Sequence, residues 1–179
     1  MSIDPKVKAR IEQFQQAVYK SFSFLADYGF QLPEFASDFE YPQDKVVTID
    51  YLSENLCLDI SWFLVYSGID VKIIELKDGL KPKKYSLYGH PDAARGIAVV
   101  DLADYLTRGK VTGPLPFSSM NDRYYMKKLK QSEEKINNNL DGVIAELAQI
   151  TKTYASDVLK GDTSLFPVIQ EFSKKKAGI

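Results

Sequence analysis

The 179-residue chain predicts an α+β fold, an antiparallel sheet of about three or four strands flanked by an N-terminal helix and a long C-terminal helix. Three observations carry this. In "LCLDISWFLVY" (Leu56 to Tyr66) the alternate residues Leu56, Leu58, Ile60, Trp62, Leu64 and Tyr66 are all large and apolar, the period of a strand against a core. Near the N-terminus, Val7, Ile11, Phe14, Val18, Phe22 and Leu25 recur every three or four positions, a helical stripe. Towards the C-terminus, Leu129, Ile136, Val143 and Ile150 stand seven apart, with Leu140, Leu147 and Tyr154 between them. The length suits one domain over residues 1–179, since one domain usually takes about 100–200 residues.

The first helix is expected over 4–28, with Asp4 as N-cap, Pro5 in the first turn and Gly29 to end it. The sheet is expected over 45–88. "KVVTIDYLS" gives one strand, "LCLDISWFLVY" the next, "SG" a turn and "IDVKIIEL" the return, with a last short strand near Lys84 to Tyr88. A short helix over 98–108 stops at Gly109, and Gly113-Pro114-Leu115-Pro116 belongs to a loop. The long helix spans 121–160. Unbroken it would run roughly 60 Å at 1.5 Å per residue, against about 40 Å for a compact domain of this size. It therefore projects or bends, and "NNNLDG" (Asn137 to Gly142) is the hinge its poor helix formers suggest. A terminal helix over 164–176 is capped near Thr163 or Ser164.

Composition narrows the class. Apolar residues at 45% and charged ones at 26% fit a folded globular chain rather than a disordered one. The lone Cys57 leaves no internal disulfide and fits a reducing cytoplasmic setting. The start "MSIDPKVKARIEQF" has no apolar signal region, and the Leu56–Tyr66 run is too short and too polar at Asp59 to cross a bilayer, for which about 20 apolar residues are needed. No membrane partner is expected.

No glycine-rich nucleotide loop, metalloprotease helix or nucleophile elbow occurs, and no cofactor is expected. His90, in "YGHPDAARG", reads as turn punctuation, and Cys57 as a small buried apolar residue. Asp59 with Glu75-Leu76-Lys77 has the D…E-x-K order of metal-dependent nucleases, in which two carboxylates hold a divalent ion and a lysine orients water. The competing reading places Glu75 and Lys77 at the solvent rim of a strand. "KPKKYSLYGH" interleaves cations with tyrosines, but a net charge of −1 favours a solvated loop over a nucleic-acid site.

Charge is unevenly spread. Residues 21–71 hold nine acids (Asp27, Glu34, Asp38, Glu40, Asp44, Asp50, Glu54, Asp59 and Asp70) against Lys45 alone, a balance of −8. Within that block "PEFASDFEYPQD" adds Phe35, Phe39 and Tyr41, and aromatic anchors among charges are a common make-up of interface hot spots. The expected partner-binding residues are Glu34, Phe35, Asp38, Phe39, Glu40, Tyr41, Asp44, Asp50 and Glu54, facing a basic protein whose approach their field would speed. The alternative is a solvated connection whose aromatics tuck under the core.

"FLADYGF" (Phe24 to Phe30) closes the first helix, and "LKGDTSLF" (Leu159 to Phe166) closes the long one. With antiparallel strands between them, this layout resembles small bacterial proteins encoded beside polymorphic or contact-dependent toxins, the immunity type. The resemblance implies a non-enzymatic protein that neutralises a toxin domain by covering its working surface, and it carries no catalytic residues across. Two other functions compete: a scaffold protein that forms a homodimer through the Leu129 to Tyr154 seam, and the nuclease built on Asp59, Glu75 and Lys77.

Overall fold

The computed structural model describes residues 4–31, 46–64, 68–115 and 124–179. Helix α1 (Pro5–Ser21) starts where Asp4 accepts the Lys6 N–H at 2.8 Å, which satisfies one of the amides that a helix start leaves unpaired. It passes into a 3₁₀ stretch (Ser23–Tyr28) that Gly29 ends with φ +78°, so the predicted single helix over 4–28 is two segments. Strands β1 (Val46–Leu52), β2 (Leu56–Phe63) and β3 (Gly68–Glu75) form an antiparallel meander. Two more strands follow, β4 (Tyr85–Ser86) and β5 (Ala94–Ala98), and the sheet order is β1-β2-β3-β5-β4.

The sheet is therefore five-stranded and mixed, because β4 pairs with β5 in parallel, where three or four antiparallel strands were expected. Strand β5, Ala-Arg-Gly-Ile-Ala, shows no alternation of large apolar residues. The reason is packing: a Cβ on Gly96 would come within 3.4 Å of the Tyr85 and Leu87 side chains and of the Ile73 carbonyl. Close approach selects a small residue there, and the strand loses its sequence signature.

One sheet face is apolar except at its end, where Glu75 of β3 pairs with Arg95 of β5. Val47, Ile49 and Tyr51 of β1, Leu58, Ile60 and Trp62 of β2, Ile69, Val71 and Ile73 of β3, and Ile97 of β5 are buried in one core with the helices. Helix α1 contributes Ile11, Phe14 and Val18, and the Phe14 ring sits 5.3 Å from that of Trp62. Helix α2 (Val99–Thr107) follows β5 without a loop and buries Leu102 and Ala103.

Helix α3 (Tyr125–Tyr154) buries Ile136, Leu140, Val143, Leu147 and Ile150, and α1 and α2 pack against it. The heptad seam is thus spent on the chain's own core between 136 and 150, while Leu129 and Tyr154 at its ends are half-buried. Within the Asn137–Gly142 stretch, Asn139 leaves helical geometry (φ −154°, ψ 59°), so α3 is two helical pieces joined at a kink. A single turn, α4 (Ser156–Leu159), precedes α5 (Phe166–Ala177). The cap expected at Thr163 or Ser164 falls on Leu165, and no side chain caps α5. Pro167 in the first turn lacks the N–H that a cap would serve.

Candidate functional site

The second face of the sheet carries the polar chemistry. Strand register puts Thr48 against Ser61 against Asp70, Asp50 against Asp59 against Lys72, and Leu52 against Cys57 against Ile74. All point away from the apolar face, because side chains alternate along a strand. Beyond β3, Asp78 and Gly79 take φ of +54° and +73°, and Lys77 and Leu80 exchange backbone hydrogen bonds at 3.0 Å. Glycine adopts positive φ freely, and Asp-Gly is a favoured pair for such a tight reversal. The reversal brings Lys81 back over the polar face.

There Lys81 Nζ donates to Asp50 Oδ1 at 2.7 Å and Oδ2 at 2.8 Å, and to Asp59 Oδ2 at 2.7 Å. The Ser61 hydroxyl donates to Asp59 Oδ1 and lies 3.2 Å from Thr48 Oγ1. Lys72, 7% exposed, stands 3.7 Å from Asp59 and 5.2 Å from the centre of the Phe63 ring. Burial raises the pKa of the Tyr85 phenol, and the nearby Lys72 charge partly offsets it. Lys72 also lies 3.9 Å from Asp70, so three carboxylates face two ammonium groups, and Asp59 is 3% exposed. A charge so deeply buried persists only when paired and hydrogen-bonded.

The electrostatics follow from these distances. Burial disfavours the Lys81 ammonium, yet the hydrogen bonds it donates to Asp50 and Asp59 outweigh it and hold the group above the usual lysine range. Burial, then the Asp50 charge, pushes the Cys57 thiol well up, and its sulfur donates to Asp50 Oδ1 at 3.6 Å. At neutral pH the amine stays protonated and the thiol stays neutral, so neither is prepared as a nucleophile. The cluster is suited to tying the segment after β3 onto β1 and β2.

The nuclease set is not brought together. Asp59 pairs with Lys72 and Glu75 with Leu56, so the two carboxylates lie on opposite faces of the sheet. Glu75 is held in two-point fashion by Arg95, with Nε donating to Oε2 at 2.7 Å. Lys77 is taken up in the bridge to Leu80. The lysine that does reach Asp59 is Lys81. Among the described residues no three of His, Cys, Asp and Glu converge as metal ligands would. His90 is exposed, its Nδ1 accepting from the Asp92 N–H at 3.2 Å, a turn contact.

Of the expected partner-binding residues, Glu34, Phe35, Asp38, Phe39, Glu40, Tyr41 and Asp44 lie outside the described residues. Both ends of their segment are described, and they adjoin opposite ends of β1, roughly 20 Å apart at about 3.3 Å per residue. Gln31 donates its N–H to the Leu52 carbonyl at 2.8 Å, at the outer edge of β1, and the chain returns at Val46 to begin that same strand. Glu54, in the β1–β2 turn, and Asp27, in the 3₁₀ stretch, are exposed. Asp50 lies on the polar face, where Lys81 holds its carboxylate at 2.7 Å. A signal for this was present in the sequence, because the "KDGLK" reversal places a lysine two residues after a tight turn.

A shallow apolar groove of about 420 Å³ lies between α2 and α5, lined by Tyr105, Val168 and Phe172 with Glu171 and Lys175 at its border. The two acids of α2, Asp101 and Asp104, are clamped by Lys176 at 2.9 and 2.8 Å. No helix among the described residues is long and apolar enough to cross a membrane. No family model, curated protein or solved structure matches this chain.

Proposed function

We propose that the chain is a non-enzymatic, cytoplasmic protein-binding protein of the immunity type, which neutralises a bacterial toxin by holding its basic surface against the acidic, aromatic-bearing region at the β1 edge. One observation carries the reading. The segment with Glu34, Asp38, Glu40 and Asp44 leaves the fold at the Leu52 end of β1, the end that exposed Glu54 follows, and rejoins it at the Val46 end, while Lys72 and Lys81 engage the acids of the polar face. The −8 balance is therefore divided. Asp50, Asp59 and Asp70 lie against lysines, and six acids remain against Lys45. Phe35, Phe39 and Tyr41 would supply the anchors and the acids the steering.

The test starts with a partner captured from the native host, identified by mass spectrometry and purified. Replacing Asp38, Phe39, Glu40 and Asp44 together by alanine is expected to weaken its binding on the order of 10–100-fold and to flatten the dependence of affinity on salt. Unchanged affinity and unchanged salt dependence would remove the site.

A further inference from the structure

Strand β1 forms one margin of the sheet, and its backbone has a defined outward side. At the β1–β2 turn the Ser53 N–H donates to the Leu56 carbonyl at 2.9 Å. From that pair the antiparallel alternation directs the N–H and C=O groups of Tyr51, Ile49 and Val47 to β2, and those of Leu52, Asp50, Thr48 and Val46 outward. The bond from Gln31 to the Leu52 carbonyl agrees with this assignment. Among the described residues Gln31 alone pairs with the outward side. At the opposite margin β4 is two residues long and offers no comparable row.

Resting on the function proposed above, we infer that the outer edge of β1 from Val46 to Asp50 is a strand-addition site that takes an extended, lysine- or arginine-bearing segment of the protein partner. A row of outward amides and carbonyls is chemically matched by another extended backbone, whose main-chain hydrogen bonds supply affinity whatever its side chains. Charge selects which backbone. Asp27 and Glu54 stand exposed at the Gln31–Leu52 corner, and the residues linking Gln31 to Val46 carry four further acids against Lys45. Opposite charges across paired strands stabilise the pairing, and like charges oppose it. A second copy of β1 would bring two such acidic margins together, so a basic segment is the occupant that fits.

The probe is a capped peptide of four Lys-Val repeats, with a version N-methylated at every residue as its control. In the free protein the Thr48 and Asp50 amides are expected to exchange with solvent at least 10-fold faster than those of Val47, Ile49 and Tyr51. Millimolar peptide is expected to slow Thr48 and Asp50 at least 10-fold, and the N-methylated control to leave them unchanged. Slow exchange at both residues in the free protein, a dimer that protects them, or no protection by the peptide would each overturn the inference. Salt-sensitive peptide binding that N-methylation does not disturb would defeat strand addition while leaving the acidic surface standing. Protection that is indifferent to salt, and unaltered when Asp38, Phe39, Glu40 and Asp44 become alanine, would keep the edge and defeat the charge reading.

Discussion

Asp59 shows why single residues in this chain were hard to read. Its partners come from Lys72, thirteen positions on, and Lys81, twenty-two positions on, and only strand register and a tight reversal bring them together. From spacing alone Glu75 and Lys77 are the obvious companions, but pleating sends Glu75 to the other face. Lys81→Met would leave Asp50 without its ammonium and Asp59 with only the more distant Lys72. A loss of about 3 kcal/mol is expected in urea unfolding, since removing one member of a buried ion set strands the other.

The pH dependence has a sign as well. Cys57 and Tyr51 keep their protons to higher pH in the fold than in the unfolded chain, chiefly through burial, and Lys81 does so through its carboxylate bonds. As pH rises the unfolded chain releases those protons first, so their contribution is whole below pH 9, the ordinary cysteine value, and declines above it. Cys57→Ala removes the earliest of the three losses. Between pH 9 and 10.5, urea unfolding should show the native sequence losing about 1 kcal/mol more than this variant.

At the scale of elements, those with strong periodicity were legible. The apolar stripe of α1, the β2–β3 hairpin and the buried side of α3 all follow from it. Strand β5 was not, because Gly96 answers to close packing rather than to alternation. The kink in α3 has a specific cause: Asn139 leaves the helix and its Oδ1 accepts the Gly142 N–H at 3.1 Å, capping the second half. A Cβ on Gly142 would lie 2.2 Å from the Asn139 amide nitrogen and displace that cap. Gly142→Ala should therefore cost about 1 kcal/mol despite alanine's better propensity. In an Asn139→Ala background, where no cap remains to be displaced, the same change should stabilise by about 0.5–1 kcal/mol. Thermal melts of the four proteins in the cycle would show that reversal of sign.

Across the whole molecule, the charge imbalance was visible in the sequence, but its partition was not. Which acids meet lysines depends on a fold that pairs residues from distant parts of the chain. The same holds for Gln170, 4% exposed on α5, whose amide donates to the Ser86 carbonyl at 2.8 Å and the Gly96 carbonyl at 3.0 Å. One side chain there serves both strands of the parallel pair. Gln170→Leu leaves two carbonyls without that donor and should cost about 2–6 kcal/mol, at roughly 1–3 kcal/mol per unsatisfied group. Hydrogen exchange should accelerate most in residues 94–98, and uniform acceleration would contradict the assignment.

That dependence also sets an order of events in biogenesis. A nascent chain can assemble the β1–β3 meander as soon as it has left the ribosome, but β4 and β5 lack their clamp until residue 170 has emerged. An emerging molecule therefore has a half-built sheet margin while the 72 residues after Ala98, up to Gln170, are added, and the α5 helix acts as the latch that ends this exposure.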